Sequence, residues 1–115
     1  MTKKYAINDK DMKQLVPDMG GALATDSITV LGNKVRYMYR DEAWTKEGSV
    51  DSGWRFFAGD ETPEYMDDDS NIDMYAVNTI ANYDPDIIPF LDTPAPCAFV
   101  KEGNTYVPVE APKPS

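Results

Sequence analysis

The order of apolar and polar residues predicts a chain built largely from short strands. Residues 35–40 alternate in character, with Tyr37 and Tyr39 on one face and Met38 on the other. Residues 54–58 are almost uniformly apolar, which indicates a buried strand. Further strands are predicted at residues 22–25, 27–30, 74–77, 97–100 and 105–107, and residues 101–104 join the last two as a hairpin.

Two short helices interrupt this pattern. The first is predicted over residues 8–16 and is ended by Pro17, because proline cannot continue a helix. The second begins at Asp84, whose carboxylate can cap free backbone amides ahead of a proline at the first helical position. Pro89 limits this second helix to one or two turns. Its inward-facing residues are expected to be Ile87, Ile88, Phe90 and Leu91.

These elements predict an α+β fold, a single compact domain with a mostly antiparallel sheet and short helices. The chain shows no long βαβ periodicity and no internal repeat. Its 115 residues suit one domain with one core. We expect that domain over residues 1–108 and a flexible C-terminal tail over residues 109–115.

The net charge of the chain favours some classes of binding partner over others. The chain carries 20 acidic and 11 basic residues, has no histidine, and has a formal net charge of −9. Because this field repels polyphosphates and attracts basic proteins, we expect a protein partner and no nucleic acid. No apolar run approaches the ~20 residues of a membrane span, and the first residues lack the apolar core of a signal peptide. Since Cys97 is the only cysteine, no intrachain disulfide can form, and a cytoplasmic location without membrane contact is expected.

The residue types argue against catalysis. Without histidine the chain lacks the side chain that most often serves as general base or metal ligand near neutral pH. Cys97 begins an apolar run and has no histidine to activate it, which favours a buried structural thiol over a nucleophile. We therefore expect a non-catalytic protein with no cofactor.

The acidic run that begins at Asp67 has some features of a calcium loop. Carboxylates at alternate positions are typical of the first half of an EF-hand. Counting from Asp67, however, the sixth position is Ile72, where the turn requires glycine, and the twelfth is Asn78, where a bidentate glutamate should lie. A solvated acidic loop is favoured, and no metal site is expected.

The candidate partner-binding residues combine this acidity with aromatic side chains. Residues 60–71 contain no basic residue and are predicted to form an ordered or semi-ordered loop rather than a helix. Trp44 and Tyr65 are flanked by polar or charged residues, as aromatic anchors at interfaces often are. The apolar run suggests core positions for Trp54, Phe56 and Phe57. The predicted partner-binding set is Trp44, Asp60, Glu61, Glu64, Tyr65, Asp67, Asp68 and Asp69.

Four segments, in their order and spacing, resemble the immunity protein 33-like family of bacterial toxin-neutralising proteins. They are GALATDSITV at residues 21–30, VRYMYR at 35–40, DSGWRFFAGDE at 51–61 and NTIANYDP at 78–85. The resemblance implies an α+β protein that binds and neutralises a toxin of a bacterial polymorphic toxin system, and it brings no catalytic residues with it. The alternative function is a stand-alone regulatory or structural interaction domain with no toxin partner.

Overall fold

The computed structural model describes residues 4–41 and 51–112. The strands are β1 (Gly21–Thr25), β2 (Tyr37–Arg40), β3 (Asp51–Phe57), β4 (Ile72–Ala76), β5 (Cys97–Glu102) and β6 (Thr105–Val109). The α-helices are α1 (Asp26–Thr29), α2 (Pro63–Met66) and α3 (Val77–Tyr83), and 3-10 helices lie at Asp9–Asp11, Asp69–Asn71 and Pro85–Phe90. None of the helices in these two ranges is long and apolar enough to cross a membrane.

The strands form one sheet in the order β4-β1-β3-β2-β5-β6. β1 and β3 run parallel, whereas the other neighbouring pairs are antiparallel. β1 and β2 are therefore not neighbours in the sheet, because β3, which follows both in the sequence, lies between them. The prediction of a single α+β domain with a mostly antiparallel sheet is confirmed.

One face of the sheet carries the helices and the core. On this face Trp54 and Phe56 are fully buried, and their stacked rings have centroids 5.8 Å apart. Trp54 Nε1 donates a hydrogen bond to the Leu91 carbonyl at 3.1 Å, so the polar atom of the indole is also satisfied. The helices add the buried side chains of Ile28, Val77, Ile80, Ala81 and Ile87. The prediction that Trp54 and Phe56 lie in the core is confirmed.

The predicted strand at residues 27–30 is wrong, because this segment forms α1 and the turn that follows it. Ile28 is fully buried against the core, and burying an isoleucine contributes about 1.5–3 kcal/mol. That gain exceeds the roughly 0.5 kcal/mol by which a β-branched residue disfavours a helix. Gly32, with a φ of 81°, ends the segment and donates its amide to the Ile28 carbonyl at 2.9 Å.

The predicted strand at residues 74–77 ends one residue early, and a helix follows it directly. β4 ends at Ala76, and Val77 begins α3, which is absent from the predicted elements. Val77, Ile80 and Ala81 are buried at spacings of three and four residues, so they share one face of the helix. This face packs onto the core.

The predicted helix at residues 8–16 is also wrong. Only Asp9–Asp11 is helical, as a single 3-10 turn. Asn78 Oδ1 of α3 accepts hydrogen bonds from the amides of Leu15 and Val16, at 2.7 and 3.1 Å. These amides would bond to backbone carbonyls in a helix, and a side chain of α3 takes that role instead.

The predicted helix start at Asp84 is confirmed. Asp84 Oδ1 accepts the amide of Asp86 at 3.1 Å, and the 3-10 helix that follows contains Pro89 and spans six residues. Ile87 and Leu91 are buried, while Ile88 and Phe90 pack partly buried against the core. Farther along the chain, β5 and β6 form the predicted hairpin.

Three positions along the outer strands of the sheet, β4 and β6, offer no free backbone donor. The Met74 amide donates to the side chain of Asp73 at 2.9 Å, and the Ile72 amide donates to the Asp69 carbonyl. β6 contains Pro108, which has no amide hydrogen. Charged side chains and proline are common on strands that end a sheet.

Candidate functional site

The acidic segment, residues 60–71, joins β3 to β4 and contains two short helical turns. The first turn follows Thr62, whose Oγ1 accepts the amide of Tyr65 at 3.1 Å. The second follows Asp68, whose carboxylate accepts the amide of Ser70 at 3.0 Å. The prediction of a loop rather than a helix is wrong for these two turns, because each is stabilised by a side-chain cap.

Two of the predicted partner-binding carboxylates are bound within the fold. Glu61 Oε2 accepts hydrogen bonds from the Thr25 hydroxyl at 2.5 Å and from the Ala58 amide at 2.7 Å. Glu61 Oε1 accepts a hydrogen bond from the Gly59 amide at 2.8 Å. Asp60 Oδ1 accepts the Ser27 hydroxyl at 2.8 Å. Both carboxylates therefore connect the end of β3 to β1 and α1.

Three other carboxylates of the segment face solvent. Glu64, Asp67 and Asp69 are exposed, and over residues 4–41 and 51–112 their side chains form no hydrogen bond or ion pair. Asp68 is exposed as well, although its carboxylate caps the second turn. The structure thus distinguishes Asp60 and Glu61, whose carboxylates form hydrogen bonds within the fold, from Glu64, Asp67 and Asp69, which remain exposed.

Of the two predicted aromatic anchors, the structure describes Tyr65 but not Trp44. Tyr65 is partly exposed, but its hydroxyl is buried and has no hydrogen-bond partner among the described residues. Burial raises the pKa of Tyr65, and the nearby charge of Asp26 raises it further. The exposed part of Tyr65 is therefore its ring rather than its hydroxyl. Trp44 lies outside the described residues.

Neither Cys97 nor the acidic side chains are arranged as a reactive or metal-binding group in the part of the chain that the structure describes. Among the described residues, no group of three histidine, cysteine, aspartate or glutamate side chains is placed to hold a metal ion. Cys97 packs against the core and is only partly buried. Burial raises the pKa of the Cys97 thiol, which keeps it protonated near neutral pH.

Comparison with known proteins places this fold in a family. A family model described as Immunity protein Imm33 domain matches residues 22–110. The chain belongs to this immunity protein family. No curated protein and no solved structure matches the chain. The matched region of this Imm33 domain reaches all six strands of the sheet, so the resemblance seen in the four sequence segments is confirmed.

This Imm33 domain has a second surface of interest, on the face of the sheet opposite the core. We call it the outer face and define it by Tyr37, Tyr39, Arg55 and Phe57. Between the antiparallel strands β2 and β3, Tyr37 lies opposite Phe57 and Tyr39 lies opposite Arg55. The prediction that Tyr37 and Tyr39 share one face of a strand is confirmed. The three aromatic rings are partly exposed, with centroids 5.8 to 6.0 Å apart.

The outer face includes a residue that the sequence suggested for the core. Phe57 is partly exposed and lies on the side of β3 opposite Phe56, so its predicted core position is wrong. The physical reason is that successive residues of a strand point to opposite faces, and Phe56 occupies the core side. Alternation along β3 was the signal in the sequence that separates these two neighbours.

A neutral ion pair lies among the rings of the outer face. Arg55 is 5% exposed and donates two hydrogen bonds to the carboxylate of Asp51, at 2.9 and 2.8 Å. Burial by itself would raise the pKa of Asp51, but the hydrogen bonds from Arg55 and the Gly53 amide, together with the charge of Arg55, lower that pKa below its usual value. The guanidinium is therefore held in place with its charge balanced.

Proposed function

We propose that this Imm33 domain is a non-catalytic immunity protein that binds and neutralises a bacterial polymorphic toxin, and that its acidic segment attracts a basic face of that toxin. Family membership supports the immunity role. The observation that carries the role of the segment is the exposure of Glu64, Asp67 and Asp69 without a counter-charge among the described residues.

These three carboxylates would favour association with a cationic partner more than they would stabilise the fold. Like charges held close together repel one another and do not stabilise the fold. The capped turns nevertheless hold them in one ordered segment, where they add to the field of a chain with a net charge of −9. Such a field attracts a cationic partner from a distance, and salt screens it over about 8–10 Å. The expected effect is on the association rate, while affinity depends on shorter-range contacts.

The test compares two variants with the same net charge. The segment variant is Glu64→Gln/Asp67→Asn/Asp69→Asn, which leaves the caps at Thr62 and Asp68 intact. The control variant is Asp11→Asn/Asp92→Asn/Glu110→Gln, which neutralises three exposed carboxylates elsewhere. Each variant changes the formal net charge from −9 to −6, so a difference between them reports position rather than total charge.

The binding probe is a polymorphic-toxin domain encoded by a gene that neighbours the one for this chain, if one is found there, purified as a catalytically inactive form. Association rates would be measured by stopped flow at about 50 and 300 mM salt, two conditions with clearly different screening. We expect the segment variant to associate roughly tenfold more slowly at low salt, the control variant to change by about twofold at most, and the gap to narrow at high salt.

Two results would count against the proposal in different ways. Equal rates for all three proteins at both salt concentrations would remove the role of the acidic segment. A wild-type chain that binds no such toxin domain, and does not protect cells that express it, would remove the toxin-neutralising role and favour a stand-alone interaction domain.

A further inference from the structure

We infer that the toxin domain docks on the outer face, through an apolar patch of its own that is bordered on one side by lysine or arginine. This inference rests on the proposed function and assigns its short-range contacts. Tyr37, Tyr39 and Phe57 are the residues that would supply most of the affinity, whereas the acidic segment would mainly set the rate of encounter.

The outer face is broad and apolar. The buried side chains of α1, α3 and the 3-10 helix Pro85–Phe90 belong to the core on the opposite face. Cross-strand pairing extends the outer face in both directions, to Leu23 and Met74 on one side and to Val100, Val107 and Val109 on the other, whereas Ala98 on the same face is only 1% exposed. Met74 is 48% exposed and Val109 is 40% exposed, so the apolar surface reaches solvent at both outer strands. An apolar surface that spans a sheet in this way is typical of an interaction site.

The centre of this face has the residue types and the order of a binding hot spot. The rings of Tyr39 and Phe57 are stacked at 13° with centroids 6.0 Å apart, and Tyr37 contacts both rings. Aromatic side chains held in place by their neighbours lose little conformational freedom on binding. Tyrosine is among the residues most enriched at hot spots, and the nearly buried Arg55 forms an ion pair with Asp51 beside these rings.

Charge identifies the kind of partner. The centre of the face is electrically balanced by the pair of Arg55 and Asp51, whereas the acidic segment begins three residues after Phe57, at Asp60. Glu61 is bonded to Thr25 and so keeps the start of that segment against the end of β1. The complementary surface is therefore apolar in the middle and basic along one margin. A second copy of this chain, at −9, and a nucleic acid would both bring negative charge to that margin.

The first test measures dissociation constants for the toxin domain by calorimetry. Tyr39→Ala and Phe57→Ala alter the outer face, and Leu31→Ala is the control, because Leu31 is 68% exposed and follows α1 on the core side of the sheet. We expect each outer-face variant to raise the dissociation constant about 30-fold or more, and the control to change it by about threefold at most.

The second test uses the wild-type chain and so does not depend on how the variants fold. Hydroxyl-radical footprinting, with and without the toxin domain, should show protection of Tyr37, Tyr39 and Phe57 and no change at Leu31. If the wild type binds while these three residues stay unprotected, the inference is overturned and the proposed function stands. If the wild type does not bind the toxin domain, both are overturned.

Discussion

Asp84 joins three parts of the fold through one buried carboxylate. It is 1% exposed, and its Oδ2 accepts hydrogen bonds from the Val35 amide at 3.1 Å, Lys101 Nζ at 3.2 Å and the Tyr106 hydroxyl at 3.2 Å. Its Oδ1 caps the 3-10 helix that follows. The approach to β2, the β5–β6 hairpin and that helix thus meet at a single side chain. We predict that Asp84→Asn is among the most destabilising conservative substitutions in the chain.

The magnitude follows from the burial of the ion pair. Removing one partner of a buried ion pair costs about 3–5 kcal/mol, because the other charge stays buried without compensation. The Lys101 side chain is 15% exposed, and its Nζ lies 3.5 Å from Asp86, so part of the lost interaction is replaced. We therefore expect Asp84→Asn to lower the free energy of unfolding by about 2–4 kcal/mol. For a chain of this size that corresponds to a fall in Tm of roughly 8–16 °C.

The assay is urea and thermal unfolding of four proteins: wild type, Asp84→Asn, Asp86→Asn, and Asp84→Asn with Lys101→Met. Asp86 is the matched control, since its side chain is 59% exposed and its neutralisation should cost about 0.5 kcal/mol or less. Adding Lys101→Met should restore part of the stability, because it removes the charge left without its partner. A value for Asp84→Asn within about 0.5 kcal/mol of wild type would refute this account.

Two further predictions concern pH and the N-terminal segment. Because the pKa of Asp51 is lowered in the folded protein, the stability it contributes is present above about pH 4 and is lost as the pH falls below that value. Urea unfolding of wild type and Asp51→Asn should therefore converge at acid pH, and a constant difference would contradict the pairing with Arg55. Asn78→Ala removes the acceptor for the amides of Leu15 and Val16, so it should cost about 1–3 kcal/mol and speed hydrogen exchange at both amides. Unchanged exchange there would show that Asn78 does not hold the segment.

Features that depend on neighbouring residues were predictable from the sequence. The Asp84 cap, the β5–β6 hairpin and the core position of Trp54 all follow from local residue order. The segment at residues 8–16 was not predictable in this way, because its amides bond to Asn78, more than sixty positions away. The sequence pattern did not predict α3 for a different reason: its apolar positions begin at Val77, directly after the last residue of β4.

The candidate site shows the same division. The sequence identified the acidic residues, but it could not show that Glu61 is bound by Thr25, thirty-six positions earlier, while Glu64 remains exposed. It also placed Tyr37 and Tyr39 on one face of a strand without showing which face the helices would cover. That choice depends on long-range packing, and it decides which aromatic rings can meet a partner.

The protected edges of the sheet affect how the chain behaves at high concentration. Open strand edges are templates for ordered aggregation, since a second chain can add its own strand to the free backbone groups. Here the Asp73 side chain occupies the amide of Met74, and Pro108 supplies no donor on the opposite edge. The outer face can therefore be displayed to a partner beside sheet edges that offer a second chain no free backbone donor at Met74 or Pro108.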